Sequence, residues 1–529
     1  MSPRIASWLG LVAAWLVVLL TALLTRPLIP VDETRYAAVA WEMWARGDFL
    51  VPYLNGEPYS HKPPLFFWLI HAGWWLFGVN EWVLRAVAPL VALLSLVASG
   101  FLARQLWPKA DTLTWLVPWV LFGSVFYAAF YSWVQIDMLL VLFTLLAMIG
   151  LVRAGRGNVS GWIVTGIAIG LGVLSKGPVI LLHVLPVALL APFWKRDAAE
   201  HFWRGWYTGV VASVALGAAI ALAWVLPAAQ AGGAAYHDAI LWGQTANRLV
   251  NSFAHNHPVW WYLPWLFVLF APWCFLTQLW SNVRQAEPAR DEGLRFCLVW
   301  LLSVFTLLSL VSGKQLKYLL PLQPAFALLL TRVSVWPGSR PVNARPWLLM
   351  LVLAAVGVVG IIAPLVLHKA AWINTVHPLW GGLLIIAAIA FFLMRPVANA
   401  PALLRVSLLS VVVVAVAQIG VFRKAAPAYD LQTASQLLVK AQQQGRKVAV
   451  ITRYHGQFGF YGRLTQPVLY IPADRVLAWA EQHPQGYLVM VYRDGRDDYP
   501  KGIFTQPYRG GYLVIREGRA VVANPALPI

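Results

Sequence analysis

Residues 5–24 read IASWLGLVAAWLVVLLTALL, an almost wholly apolar run between Arg4 and Arg26. A helix of roughly 20 such residues crosses the hydrocarbon of a bilayer. Just beyond it the chain turns polar: Pro30-Val31-Asp32-Glu33-Thr34-Arg35-Tyr36, then Gly47-Asp48-Phe49-Leu50-Val51-Pro52-Tyr53-Leu54-Asn55-Gly56, then His61-Lys62-Pro63-Pro64-Leu65. Acids set against the rim of a membrane are costly and mark function.

The rest of the chain follows the first run. Of its 529 residues 60% are hydrophobic and only 12% charged, with mean hydropathy +0.66. Soluble proteins carry about 25% charged residues, so this is a polytopic α-helical membrane protein. The 29 Trp suit rings seated at membrane interfaces. Cys274 and Cys297 lie in apolar segments with neither metal nor redox spacing, and no disulfide is expected. The net charge of +19 has two readings, retention of basic loops in the cytoplasm and affinity for anionic lipid. No basic stripe with interleaved aromatics stands outside the membrane part, which argues against nucleic acid. No small-x-small cleavage site precedes Arg26-Pro27, so the first helix reads as a retained signal anchor.

Candidate spans fall near 5–25, 64–78 running into 82–105, 112–131, 134–152, 160–175, 177–194, 206–230, 258–281, 294–312, 315–332, 346–367, 376–394 and 402–422. That is about 13 transmembrane helices, with 64–78 entering the interface and 82–105 crossing. With the N-terminus inside, nearly every inner loop is basic although short, including Arg104 and Lys109, Arg153 and Arg156, and Lys195, Arg196 and Arg204. The positive-inside rule then puts the Asp32 loop and the C-terminal tail outside. Residues 1–422 form the membrane domain, with outer loops at 27–64 and 231–257. After Phe422 the pattern changes. Residues 448–452, 468–471, 487–492 and 512–515 read as strands, and 431–443 and 474–482 as helices. Residues 423–529 therefore make a small α/β domain.

The outer side gathers the chemistry. Asp32, Glu33, Arg35, Asp48, His61 and Lys62 stand in the first loop, and Asp137 heads a helix after the second turn. Lys176 follows Ser175. The fourth loop holds Arg248, His255 and His257; the fifth holds Lys314, Lys317 and Tyr318. A polyprenyl-phosphate donor suits such a site. Its tail lies in lipid, its phosphate at headgroup level is gripped by cations as it leaves, and a carboxylate takes the acceptor proton. Each residue also has a plainer reading. Asp32 and Asp137 are good helix N-caps, Lys62 can snorkel, Arg248 can be an interface cation, and Tyr318 can be a belt aromatic. Glu33 can pair with Arg35 or another loop cation. His255 and His257 lack a fixed third ligand, so no metal site is assigned. Asp48 and Asn55 fit turn chemistry before Gly56.

In their order these residues resemble the ArnT-like glycosyltransferases, enzymes of GT-C fold related to the protein O-mannosyltransferases. The likeness rests on Pro30-x-Asp32-Glu33-x-Arg35-Tyr36, Gly47-Asp48, Val51-Pro52, Lys62-Pro63-Pro64, Asp137 and Ser175-Lys176-Gly177. It continues through Gln244–Arg248, Pro258-x-Trp260-Trp261-Tyr262-x-Pro264 and Lys317-Tyr318-Leu319-Leu320-Pro321. It implies Asp32 as the catalytic carboxylate and Asp137 as the second acid of the cavity, with Glu33 beside them. Lys62, Arg248 and Tyr318 would hold the donor phosphate, helped by Lys176 and Lys314. No cofactor is required, although a divalent metal could assist. The implied reaction is inverting transfer of a sugar, 4-amino-4-deoxy-L-arabinose or a hexose, from undecaprenyl phosphate. Lipid A or another envelope glycolipid accepts it on the periplasmic face of a bacterial inner membrane. The chain departs from aminoarabinose-transferring members in carrying His61 where Glu often precedes the loop lysine. A protein O-glycosyltransferase is the alternative within the class. A lipid or sugar transporter is the alternative outside it, and transporters place their ionisable groups at the midplane of repeated halves.

Overall fold

A computed structural model of the chain describes residues 3–196, 199–243, 256–343, 346–367, 372–492 and 502–524. Among these, seven helices are long and apolar enough to cross a membrane, beginning with α1 (Pro3–Thr25). Others include Glu81–Leu106, Asp137–Ala154, Phe202–Ala231 and Glu292–Leu310. The exposed faces of these helices are themselves apolar: Leu9, Leu16 and Leu20 of α1 stand uncovered by protein, as lipid contact requires.

The segment expected at 112–131 as one span is instead a broken one. Helices Asp111–Phe122 and Val125–Tyr131 meet at 71°. The break falls at Gly123-Ser124, where Gly123 is pressed against Ser407 so closely that a Cβ would sit 2.6 Å from its hydroxyl. Residues 258–281 and 315–332 are also interrupted, by Pro258, Pro264 and Pro272 in the first and by Pro321 and Pro324 in the second. Proline lacks the N–H that would continue the helical ladder. Five further apolar helices, Leu65–Phe77, Ser160–Lys176, Val179–Leu189, Val259–Leu269 and Leu379–Leu393, are shorter than a full span.

Two packing features position the end of the bundle that bears Asp137. The antiparallel helices Asp137–Ala154 and Ser160–Lys176 approach through Gly150 and Gly161, where a Cβ on Gly161 would stand 2.4 Å from the Gly150 carbonyl. Small residues let helix backbones meet in lipid, and this contact sets Asp137 opposite Lys176. Arg85 donates to the Ala22 and Leu23 carbonyls at 2.7 and 3.3 Å, closing the C-terminal end of α1. At the start of Glu292–Leu310, Asp291 caps the helix through the Leu294 N–H and binds Arg332 and the Trp107 indole. That acid is consumed in holding helices together.

After α1 comes α2 (Asp32–Arg46), outside the long helices. Its first turn is acidic and its last basic, matching the helix dipole. Tyr36, Ala37, Ala40 and Met43 are buried on one face, and Gly47 ends the helix at φ 67° with the Asp48 N–H returning to the Met43 carbonyl. Then β1 (Tyr53–Leu54) and β2 (Glu57–Pro58) form a hairpin. Asn55 and Gly56 make its turn at φ 59° and 87°, the left-handed pair of a type I′ turn. Asp48 accepts the Leu50 and Val51 N–H groups, so it too is turn chemistry.

The chain ends in a five-stranded sheet. Strands β3 (Val448–Val450), β4 (Leu469–Tyr470) and β5 (Tyr487–Tyr492) are parallel; β6 (Phe504–Tyr508) and β7 (Gly511–Glu517) close it antiparallel in the order β4-β3-β5-β7-β6. Helices Gln432–Gln443 and Val476–Gln482 match expectation. Strand β6 was not foreseen, because Pro507 and two polar residues break its apolar pattern.

The sheet domain docks on α2 and the hairpin. The Asn55 amide exchanges two hydrogen bonds with the Val468 backbone at 2.8 and 3.0 Å. Trp41 donates to the Leu464 carbonyl, the Tyr461 hydroxyl accepts the Leu28 N–H, and Phe460 stacks on Trp74. Gly456, at φ 78°, lies so near Ala38 and Leu54 that a Cβ would stand 2.9 and 2.6 Å from their side chains. Gly456→Ala is expected to weaken this docking by about 1–3 kcal/mol through overpacking and a left-handed backbone. Limited proteolysis of the purified protein checks it: cleavage between the membrane part and the sheet domain should accelerate, and unchanged cleavage would refute it.

Candidate active site

Asp32 is the first residue of α2, not its N-cap. Val31 holds that position and no side chain caps the helix. The carboxylate is free for other partners. One oxygen pairs with Arg35, one turn along, and the other accepts from Lys317 Nζ at 3.2 Å. Asp137 likewise begins its helix without capping it. It is buried and ion-paired with Lys176. The Lys176 ammonium in turn lies 4.5 Å from the centre of the Tyr318 ring, a cation–π contact. Lys317 and Tyr318 are neighbours on the 3-10 helix Leu316–Leu322, so the two acid–base pairs form one cluster. Lys62 and Lys317 both act electrostatically on both carboxylates.

The fifth loop is fixed from below. Tyr262 donates to the Gln315 carbonyl at 3.2 Å, and the His257 N–H to the Ser312 carbonyl. The His257 ring stacks on Trp261 at 4.4 Å. Lys314 does not reach the cluster as expected of a phosphate ligand. Its ammonium is 1% exposed as a residue and donates to the His257 and Val311 carbonyls at 2.9 and 2.5 Å. Lys317, three residues on, is the lysine of this loop that reaches Asp32. Sequence reading quoted Lys317 without assigning it a role. The available signal was its place beside Tyr318; the two reach neighbouring members of the cluster, Lys317 at Asp32 and Tyr318 at Lys176.

Glu33 is separate from the cluster. Its side chain is 1% exposed and pairs with Arg26 at 2.6 Å rather than with Arg35. Its oxygens also accept the Ile29 and Val134 N–H groups, each at 2.7 Å. Three hydrogen bonds and nearly complete burial hold the carboxylate in the framework. Arg26 completes the staple by donating to the Ser132 carbonyl and packing over Trp133. Expected beside the catalytic acids, Glu33 has contacts that instead join the end of α1, the start of α2 and the turn before Asp137. Arg248 and His255 lie outside the described residues. Among the described residues no group of three or more His, Cys, Asp or Glu is placed to hold a metal ion.

Burial by itself would raise the Asp32 pKa, but Lys317 and Arg35, with Lys62 beyond, outweigh it and hold the carboxyl below its usual range. Asp32 is thus ionised at neutral pH. Activity that needs this carboxylate should persist as pH falls from 7 to 5 and fail only in more acid solution, as pH drops through the depressed pKa. Lys317→Met should move that acid limb to higher pH. A pH profile of kcat/KM for the two proteins measures it; coincident acid limbs would contradict it.

A family model described as dolichyl-phosphate-mannose-protein mannosyltransferase matches residues 61–229. The crystal structure of ArnT from Cupriavidus metallidurans bound to undecaprenyl phosphate superposes with a TM-score of 0.75, covering 96% of this chain and 97% of that one at 19% identity. At that identity the likeness is one of fold. The fold is the membrane-helical GT-C type of that ArnT. Over 406 residues, 73% of this chain and 70% of the relative, the sequence is 31% identical to the undecaprenyl phosphate-α-4-amino-4-deoxy-L-arabinose arabinosyl transferase of Edwardsiella ictaluri. A Pseudomonas fluorescens enzyme of the same description is 30% identical over 63% of this chain and 58% of its own length. The chain belongs to this ArnT-like family of glycosyltransferases.

Proposed function

We propose that the protein transfers 4-amino-4-deoxy-L-arabinose from undecaprenyl phosphate to lipid A or a related envelope glycolipid, at the periplasmic face of a bacterial inner membrane. The observation that carries this reading is Asp32 held between Arg35 and Lys317, with the Asp137–Lys176–Tyr318 group beside it at the head of the apolar helix Asp137–Ala154. The relatives named for the same sugar and carrier support the substrate pair.

In the proposed reaction the donor phosphate enters from the lipid side, where Lys62, Lys176, Lys317, Tyr318 and Arg248 receive it. Asp32 and the phosphate compete for Lys317. As the ammonium turns to the phosphate, Asp32 loses a partner that depressed its pKa and becomes a better base. The acceptor oxygen then attacks the anomeric carbon opposite the phosphate, and Asp32 takes any proton that oxygen carries. The carbon–oxygen bond to phosphate breaks, and its electron pair leaves on the phosphate, stabilised by the cations. A single displacement inverts the anomeric centre. Asp137 keeps Lys176 in register, and Glu33 serves the framework. Residues 1–422 carry the chemistry, and 423–529 form the domain that caps it.

Lys62→Ala tests the donor side. Removing one charge-assisted contact, about 1.5–3 kcal/mol, should raise donor KM roughly 10- to 100-fold and leave acceptor KM near the wild-type value. Steady-state kinetics with each substrate varied in turn decide it. A rise in acceptor KM alone would place Lys62 on the other substrate.

A further inference from the structure

Expected among the phosphate ligands, Lys314 has no part in the chemistry above. Its setting is unusual for a lysine. A buried ammonium is costly unless its N–H groups are bonded, and Lys314 is 1% exposed. Its partners among the described residues are two carbonyls and no carboxylate: Val311 at 2.5 Å and His257 at 2.9 Å. Val311 is the C-cap of the helix Glu292–Leu310, an end where the helix dipole favours a cation. His257 precedes the 3-10 helix Val259–Trp265, far away in sequence. One ammonium thus ties a helix end to a distant stretch of chain.

Further bonds join the same two stretches. Asn256 and Gly313 form an antiparallel bridge, and the His257 N–H donates to the Ser312 carbonyl at 3.1 Å. The Tyr262 hydroxyl donates to the Gln315 carbonyl at 3.2 Å. Residues 311–315 are therefore held at every position. The Gln315 carbonyl also accepts the Tyr318 N–H at 3.0 Å, closing the first turn of the 3-10 helix Leu316–Leu322. Lys317 and Tyr318 stand in that turn, so the place of Gln315 governs what they reach. Lys317 reaches Asp32 at 3.2 Å, and the Tyr318 ring lies 4.5 Å from the Lys176 ammonium.

We propose that Lys314 is a positioning residue: with Tyr262 it latches residues 311–315 onto 256–262, and so brings Lys317 to Asp32 and Tyr318 to Lys176. This rests on the glycosyltransferase reading above. Lys314 bonds to neither acid of the cluster, so its loss acts through Lys317. With the latch broken, Lys317 leaves Asp32. Arg35 and Lys62 remain as the cations acting on that carboxylate. Its proton affinity rises, and activity fails at a higher pH as the solution is acidified.

The test is the pH profile of kcat/KM, which reports the free enzyme's essential base, for the full-length protein in nanodiscs with undecaprenyl-phosphate aminoarabinose and lipid A. Lys314→Met and Tyr262→Phe should each move the acid limb to higher pH, in the direction of Lys317→Met. Added to Lys317→Met, Lys314→Met should move it no further, because the residue it positions is gone. A lysine acting on Asp32 by its own charge would add its own shift. Tyr262→Phe removes one oxygen and keeps Lys314, so it carries the test if Lys314→Met does not fold. An acid limb at the wild-type position in either folded variant, a rise in donor KM with the limb unmoved, or additive shifts in the double variant would overturn the proposal. A wild-type protein that transfers nothing to lipid A would instead overturn the reading beneath it.

Discussion

Asp32→Asn is expected to lower kcat by about 10²- to 10⁴-fold, the range typical of a lost general base, while the protein inserts and folds as before. The substitution keeps shape and removes charge. The Asp32 side chain is 37% exposed and holds no capping bond, so the fold does not depend on its ionisation. Arg35 and Lys317 remain to receive anions, so donor binding should be retained or slightly strengthened. Single-turnover transfer by the purified variant, beside its melting curve, measures both halves. Transfer at the wild-type rate would remove Asp32 from the chemistry.

The next residue should behave in the opposite way. Glu33→Ala leaves Arg26 charged, buried and unpaired, and it orphans the Ile29 and Val134 N–H groups. Breaking a buried ion pair from one side costs about 3–5 kcal/mol, a large share of a typical folding free energy of about 5–15 kcal/mol. The variant should melt well below the wild type and yield little monodisperse protein. Arg26→Ala should do the same. The double variant Arg26→Met/Glu33→Leu should be less harmed than the two single losses summed, because neither charge is left alone. Thermal melting followed by size-exclusion chromatography gives the comparison. A Glu33→Ala protein as stable as wild type but inactive would return Glu33 to the catalytic set.

Asp32 and Glu33 differ by one position, and their sequence context could not separate them. At the start of a helix, adjacent residues point about 100° apart. Which one faces the cleft and which faces the framework is decided by distant groups, Lys317 for one and Arg26 with Val134 for the other. The same limit explains Lys314 and Lys317. Both lie in one loop, and only the fold shows that Lys317 is turned to Asp32 while Lys314 is turned to the His257 and Val311 carbonyls. Local features were readable because their causes are local. The Asn55-Gly56 turn, the Asp48 turn and the first helices and strands of the C-terminal domain all follow from residues within a few positions. The bend at Gly123 was not readable, since the residue packed against it there, Ser407, lies nearly three hundred positions away. Docking of the sheet domain on Ala38 was hidden for the same reason.

The most direct test of the central claim, that Asp32 and the cations around it drive sugar transfer from a polyprenyl phosphate, is the mass of lipid A after incubation with purified protein and undecaprenyl-phosphate aminoarabinose. The expected result is the gain of one aminoarabinose with the wild type and none with Asp32→Asn. Lipid A of unchanged mass with the wild type, or equal gain with both proteins, would contradict it.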